Sequence, residues 1–397
     1  MKRIYLDHAA TTGLNAAVLA KMTPYFSEVF GNPNSQHAFG RESVKAVDEA
    51  RDAIAALIGA KPNEIYFTSG GTEADNWAIR GAAHAYGSRG KHLIISAIEH
   101  PAMITTAKEL EKEGFEVSLA PVDEFGTVDL KKLEELIRPD TIFIGIMTAN
   151  NEIGTLQPVR EISEIARAHK IVFFTDAVQA AGALKLDVNE PRVDMMSFSG
   201  HKFYGPKGIG VLYIRSGLKI GRIITGGHQE RSMRGGTTNV PSVVGMAEAF
   251  RLANEHIEEN KAYVSSLRDR FISRVLKEIP YVKLNGHPQN RLPSNANFSF
   301  RYIEGESLLF SLDLAGIAVS SGSACSSGSL EPSHVLLATG MSEGLAHGSI
   351  RFSFGKENTA EDVDYTVDRL KEIVVKLRTL SPLFPKDLKN EVFEKGE

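Results

Sequence analysis

From Arg41 onward, Val44, Val47, Ile54, Leu57 and Ile58 recur at helical spacing, and the pattern stops at Gly59, a residue suited to the position just past a helix end. This spacing predicts an amphipathic helix. The next segment, IYFTSGGTEADNWAIRGAAHAY from Ile65 to Tyr86, reads as a short apolar strand, a Gly-rich turn and a second helix. Further strands are predicted at His92–Ser96, Val117–Leu119, Thr141–Met147, Ile171–Thr175, Met195–Phe198 and Gly210–Ile214. Helical segments lie between most of them, among them Leu130–Ile137, closed by Pro139, and Val159–Ala168. Several of these strands are unalternating apolar runs, as strands buried on both faces are. The alternation with helices therefore argues an α/β domain with a largely parallel sheet.

After GGTTNVPSVVG the rhythm changes to an extended helical stretch, Val243 to Ile279, with Phe250, Ile257, Val264, Leu267, Phe271 and Val275 as candidate core positions. It reads as one long helix or two and marks a change of domain. Beyond it, strands are expected at Ala296–Phe300, Ala318–Ser321 and Ser349–Phe354, and a closing helix at Val363–Leu377, which suggests a smaller α+β domain. Between the last two strands, Ser320 to Ser329 holds eight Ser or Gly in ten positions. Such a loop has little to bury and is expected to be mobile.

Composition narrows the function classes. The 397 residues contain a single cysteine, so an internal disulfide and a multi-thiolate metal site are both out of reach, and any cysteine chemistry rests on Cys325. A formal charge of -4 lacks the basic footprint of a dedicated nucleic-acid binder. No apolar run approaches the roughly 20 residues of a membrane span, and Asp7 and His8 fall where a signal peptide would stay apolar, so a cytoplasmic protein is expected.

No G-x-G-x-x-G opens a helix and no G-x-x-x-x-G-K-[ST] is present. Candidate chemistry instead gathers at the C-terminal ends of predicted strands, where open α/β sheets bind ligands. At Ser69-Gly70-Gly71-Thr72 a strand passes into a helix whose N–H groups and dipole suit a phosphate, although an ordinary turn would look the same. Asp176 ends a buried strand, as a helix cap or as the partner of a buried cation. Lys202 follows another strand in SFSGHKFYGPKG, whereas Lys207 reads as a surface charge. A phosphate seat, a strand-end acid and a strand-end amine are what a pyridoxal phosphate site requires.

These motifs resemble those of cysteine desulfurases, within the fold-type I pyridoxal phosphate enzymes. The likeness runs through YLDHAATT, GNPNSQHAFG, FTSGGTEADN, the EHPA around His100, NNEIG, TDAVQAAG, SFSGHKFYGPKGIG, GGHQERSMRGGT, SSGSACSSGSLEPS and SIRFSFG. It implies a large cofactor-binding α/β domain over residues 13–256 with a mostly parallel sheet. Residues 1–12 and 257–397 would form a small α+β domain carrying the Cys325 loop and Arg351. It further implies pyridoxal phosphate held by Gly71, Thr72, Ser199 and His201, with Lys202 as the Schiff-base lysine. Asp176 would pair with the ring nitrogen, Gln179 with the phenolic oxygen, and His100 would stack on the ring and move protons. Thr237 of a second subunit would reach the phosphate, making a homodimer. Asn151 would contact cofactor and substrate, and Arg351 would take the carboxylate of L-cysteine. Cys325 would capture the sulfur as a persulfide and pass it to an iron-sulfur scaffold or a tRNA-thiolation protein, transiently ligating a nascent cluster in the former case. The ending PKDLKNEVFEKGE departs from assembly-type relatives in lacking an aromatic-and-His tail. A selenocysteine lyase or another class V enzyme would keep Lys202 and Asp176 without needing Cys325, and a non-catalytic scaffold could inherit the fold.

Overall fold

A computed structural model describes residues 3–321 and 331–385; Cys325 and residues 386–397 of the C-terminal tail lie outside the described residues. The chain opens with the short strand β1 (Ile4–Tyr5) and then builds a seven-stranded sheet. Its strands are β2 (Ile65–Thr68), β3 (His92–Ser96), β4 (Glu116–Ala120), β5 (Thr141–Gly145), β6 (Val172–Asp176), β7 (Met195–Ser199) and β8 (Gly210–Ile214). The spatial order is β2-β8-β7-β6-β5-β3-β4. Only β8 runs against the rest among the described strands. Every residue of β3, β5, β6, β7 and β8 is buried. Helices cover both faces, which is why these strands read as mainly apolar runs without alternation.

On one face, helix Ala38–Leu57 packs on helix Val240–Glu255, and Ala46, Val47 and Ala50 share one buried core with Val240, Val243 and Phe250. On the other, Trp77 of helix Gly71–Tyr86 is fully buried and its indole N–H donates to the Gly221 carbonyl at 2.8 Å. The long helical stretch of the sequence is two helices. Val240–Glu255 and Ile257–Glu278 are divided at His256, whose φ of -111° and ψ of 18° are not helical.

The second lobe carries the four-stranded antiparallel sheet β12-β13-β10-β9, from β9 (Val282–Asn285), β10 (Asn295–Phe300), β12 (Ser320–Ser321) and β13 (Ser349–Ser353). The single strand expected at 318–321 is split: β11 (Ile317–Ala318) pairs with β1 and only β12 joins β13. The core of this lobe centres on Phe271, whose ring lies 4.6 Å from Phe352, 5.4 Å from Phe354 and 6.0 Å from Phe298 between centroids. Ile4 and Leu6 are buried in the same core. The N-terminal segment therefore starts in the second lobe, where Ser353 N–H donates to the Leu6 carbonyl at 2.7 Å, and then crosses to the C-terminal end of β7. The architecture is that of the fold-type I enzymes, a large mostly parallel α/β lobe with a smaller antiparallel one. Among the described residues no helix is long and apolar enough to cross a membrane.

Candidate active site

The C-terminal ends of β2, β6 and β7 bring the candidate residues together. β2 ends at Thr68, and helix Gly71–Tyr86 starts three residues on with no side chain capping its N-terminus. Gly70 takes a φ of 157°, and Gly210 stands so close to its backbone that a Cβ there would lie 2.7 Å away. A Cβ on Gly71 would meet Val178 Cγ2 at 2.8 Å and Ser199 Cβ at 3.8 Å. The first turn is thus an open cradle of N–H donors at the positive end of the helix dipole, built with glycine where side chains would fill it. Ser199 and His201 flank it from the end of β7, the His201 Nδ1 standing 3.1 Å from Thr11 Oγ1. Burial, with the nearby charges of Lys202 and Lys207, pushes the His201 imidazole down to about 4.

Asp176 closes β6 and is 6% exposed. Its Oδ1 accepts from the Val178 N–H at 2.7 Å. Burial holds its acidity back, to about 6, although that hydrogen bond and Lys202 pull the other way. Lys202, three residues past β7, donates its ammonium to the carbonyls of Ala9 (2.6 Å) and Ala10 (2.8 Å). Gln179 Nε2 donates to the same Ala9 carbonyl at 3.0 Å. YLDHAATT therefore acts as a backbone cradle for the amine, a role its side chains did not announce.

His100 caps helix Pro101–Lys112, its Nδ1 accepting the Ala102 N–H at 3.1 Å. His100 thus has a structural role at the start of this helix. An accepting Nδ1 leaves the proton of the neutral ring on Nε2. Burial first, then the charges of Lys202 and His334, lower its pKa to about 4, so it is neutral near pH 7.

Arg351, in the centre of β13, is 3% exposed and touches the other lobe. It pairs with Asp7 (Nη2 to Oδ1, 2.8 Å) and donates Nη1 to the Asn151 carbonyl at 3.0 Å. The Nε is buried with no partner. The guanidinium is thus in an ion pair and still has a donor to offer an incoming acid. Asn151 is 8% exposed beside it. Thr237 is not brought to this cluster by a hydrogen bond: it is exposed and bonds no described residue.

Three buried acids here were missed by sequence reasoning. Glu99 accepts from Ser96 Oγ (2.5 Å) and Met147 N–H (2.9 Å), and burial raises it to about 8. Glu152 pairs with Ser333 Oγ and is raised by burial to about 7. Asp75, bonded by Ser197 Oγ at 2.6 Å, is raised by burial and by Asp176. Each lies inside a motif already singled out, EHPA, NNEIG or TEADN, but only packing reveals that it is buried. Ser333 and His334, whose Nε2 lies 3.0 Å from the Glu99 carbonyl, tie the chain after residue 330 to this floor.

With this geometry in view, the likeness to known proteins is specific. Residues 4–366 match the model of the family described as Aminotransferase class-V, whose members are pyridoxal phosphate enzymes. The chain is 53% identical to "Cysteine desulfurase IscS" of Methanosarcina thermophila over 97% of its own length and 95% of that protein's. Its fold matches a solved "NifS-like protein" with a TM-score of 0.89 and 38% identity, covering 95% of this chain and 100% of that one. It matches "SspA in complex with cysteine" with a TM-score of 0.80 and 36% identity over 90% and 100% of the two chains. Identity at this level over nearly the whole length, on a fold that gathers the same motifs at its strand ends, means that the chain belongs to the class-V aminotransferase family and, within it, to the cysteine desulfurases.

Proposed function

We propose that this chain converts L-cysteine to L-alanine with pyridoxal phosphate bound at the ends of β2, β6 and β7, and that Cys325 carries the sulfur away as a persulfide. One observation carries the reading. The carboxylate of Asp176 and the amine of Lys202 stand at the ends of adjacent strands, beside an uncapped helix N-terminus cleared by Gly70 and Gly71. These groups fit the cofactor's three anchoring needs: N–H donors for its phosphate, an acid for its ring nitrogen and an amine for its aldehyde. Gly71, Thr72, Ser199 and His201 would hold the phosphate. Asp176 would hold the ring nitrogen protonated, Gln179 would donate to the phenolic oxygen, and His100 and Asn151 would line the ring.

When bound, pyridoxal phosphate supplies a carbon that takes up amines and a protonated ring that accepts the electrons of the substrate's α-carbon. The chain's own groups do the rest. Arg351 receives the substrate carboxylate through its unpaired Nε and a terminal nitrogen, giving up part of its hold on Asp7. Lys202 Nζ, as the free amine, takes the α-proton. His100, neutral near pH 7, would line the ring and move a proton by first taking one up and then giving it back. Cys325 as thiolate attacks the substrate sulfur. The carbon–sulfur bond breaks, the sulfur stays on Cys325, and alanine leaves. An iron-sulfur scaffold or another sulfur acceptor then collects it, with transient cluster ligation by Cys325 reserved for the scaffold case.

The enzyme works as a homodimer in the cytoplasm. Phe26, Phe30 and Phe39 are 63, 64 and 52% exposed, with the rings of Phe30 and Phe39 only 5.6 Å apart, an aromatic face that a second copy would cover. Thr237, exposed and unbonded, would reach the partner's phosphate. The test is a visible absorption spectrum before and after L-cysteine, with alanine and sulfide measured in the same sample. A yellow protein whose band shifts and which yields both products supports the reading. A protein that stays inert after pyridoxal phosphate is supplied sinks it.

A further inference from the structure

Glu230, Arg231 and Ser232 have φ of 43°, 57° and 64°, a left-handed conformation in three successive non-glycine residues. L-residues adopt it rarely and in isolation, so it persists only where the surroundings over-determine it. Here they do. The Glu230 carboxylate forms a two-point ion pair with Arg51 at 2.7 and 2.8 Å, both side chains under a tenth exposed, and accepts the Phe67 N–H of β2 at 2.9 Å. Arg231 donates to the Ile65 carbonyl at 2.8 Å, its guanidinium 4.2 Å from the Tyr66 ring centroid. Three residues later Arg234 forks onto Glu73 at 2.9 and 3.0 Å, and Glu73 also accepts the Ser69 N–H at 2.8 Å. Gly235 closes the base of the segment, its N–H donating to the Ile224 carbonyl at 3.0 Å and its Cα pressed against Gly226.

Residues 228–236 are thus riveted to β2 and to the first turn of the phosphate cradle, and they end at exposed Thr237. We propose that Glu73, Arg234 and Glu230 are positioning residues that make this segment a rigid arm, so that each subunit's own cradle sets where its Thr237 stands at the partner's cofactor phosphate. The inference rests on the homodimer and on Thr237 serving the partner. Its consequence is directional: loosening the Arg234–Glu73 rivet weakens cofactor binding in the other subunit rather than in the one that carries the change.

Mixed dimers of two differently tagged subunits test this, with borohydride trapping of pyridoxal phosphate on Lys202 as the readout. A subunit carrying Lys202→Ala cannot be trapped, so each mixed dimer reports one site. The rivet is removed by Glu73→Gln with Arg234→Gln, which leaves no unpaired charge and keeps an acceptor for the Ser69 N–H. Placed on the Lys202→Ala subunit, the double change should raise the pyridoxal phosphate concentration for half-trapping on the wild-type partner about tenfold, the worth of one well-placed phosphate donor. Placed on the trappable subunit, whose own cradle holds Glu73, it should shift the value by clearly less than in the first arrangement. Thr237→Ala on the Lys202→Ala subunit must weaken the wild-type site too; if it does not, the reading of Thr237 fails. If it does and the rivet change has no effect in the partner, or an equal effect in both arrangements, the arm is overturned. Should the double variant fail to assemble, Arg234→Lys, which keeps the charge but not the fork, must show the same direction at smaller size, and an effect confined to its own subunit refutes the proposal.

Discussion

Replacing Arg351 by Lys isolates the fork from the charge. Arg351 is 3% exposed, its Nη2 and Nη1 are engaged by Asp7 and the Asn151 carbonyl, and its Nε is buried without a partner. A lysine ammonium reaching this point can keep the Asp7 pair or meet the substrate, but it cannot present two parallel donors to a carboxylate. One charge-assisted hydrogen bond is worth about 1.5–3 kcal/mol net, and every ~1.4 kcal/mol is a factor of ten, so kcat/KM for L-cysteine should fall roughly 10- to 150-fold. The loss should sit mainly in KM, because the carboxylate does not react and is bound alike before and during the chemistry. Pyridoxal phosphate affinity should hold, since neither of the two contacts of Arg351 is in the phosphate cradle. The assay is alanine formation against L-cysteine concentration at saturating cofactor, with sulfur release from cysteamine, which lacks the carboxylate, as control. Wild type should prefer cysteine strongly, and Arg351→Lys should erase most of that preference. An unchanged KM, or an equal loss on cysteamine, would mean that Arg351 only ties Asp7 to the floor.

Cys325→Ala should abolish sulfide release from cysteine while leaving cofactor uptake intact; full activity would move the chemistry to that of a lyase that needs no protein thiol. Phe30→Asp combined with Phe39→Asp should yield monomers in sedimentation with much weaker cofactor retention, whereas intact dimers would place the interface elsewhere. Burial raises Glu99 to about 8 from 4.5, so the folded apoprotein binds more protons than the unfolded chain between those values and loses stability as pH rises. His100 and His201, lowered to about 4, act in the opposite sense only up to their ordinary 6.5; between pH 6.5 and 8 the fall should therefore show, at up to about 1.4 kcal/mol per pH unit for each proton, and Glu99→Gln should reduce it in urea titrations at the two pH values, with Glu152 and Asp75, also raised by burial, carrying the rest.

The parts of this molecule that were legible in its sequence are those where a residue's type and its place in the chain suffice. Buried strands such as Thr141–Gly145 show no alternation of apolar and polar positions because both faces are covered; Asp176 ends one such run and Lys202 stands three residues past another. Where function depends on contacts between distant segments, type and place are silent. Nothing local distinguishes Glu99, held neutral by burial, from Glu113, exposed beside Arg80 and held below its ordinary range by that guanidinium. The split of residues 317–321 between two partners depends on β1 arriving from the far end of the chain. The same holds for Arg351, which reads equally as an ion pair or a substrate clamp. The fold shows the ion pair, in which Asp7 occupies only part of the fork and Nε stays buried and unmet. A structural pair would complete its hydrogen bonds, since an unmade buried donor costs about 1–3 kcal/mol. The donor left open beside Asn151 is the one that the proposed function gives to the carboxylate of cysteine, and the cysteamine comparison decides it.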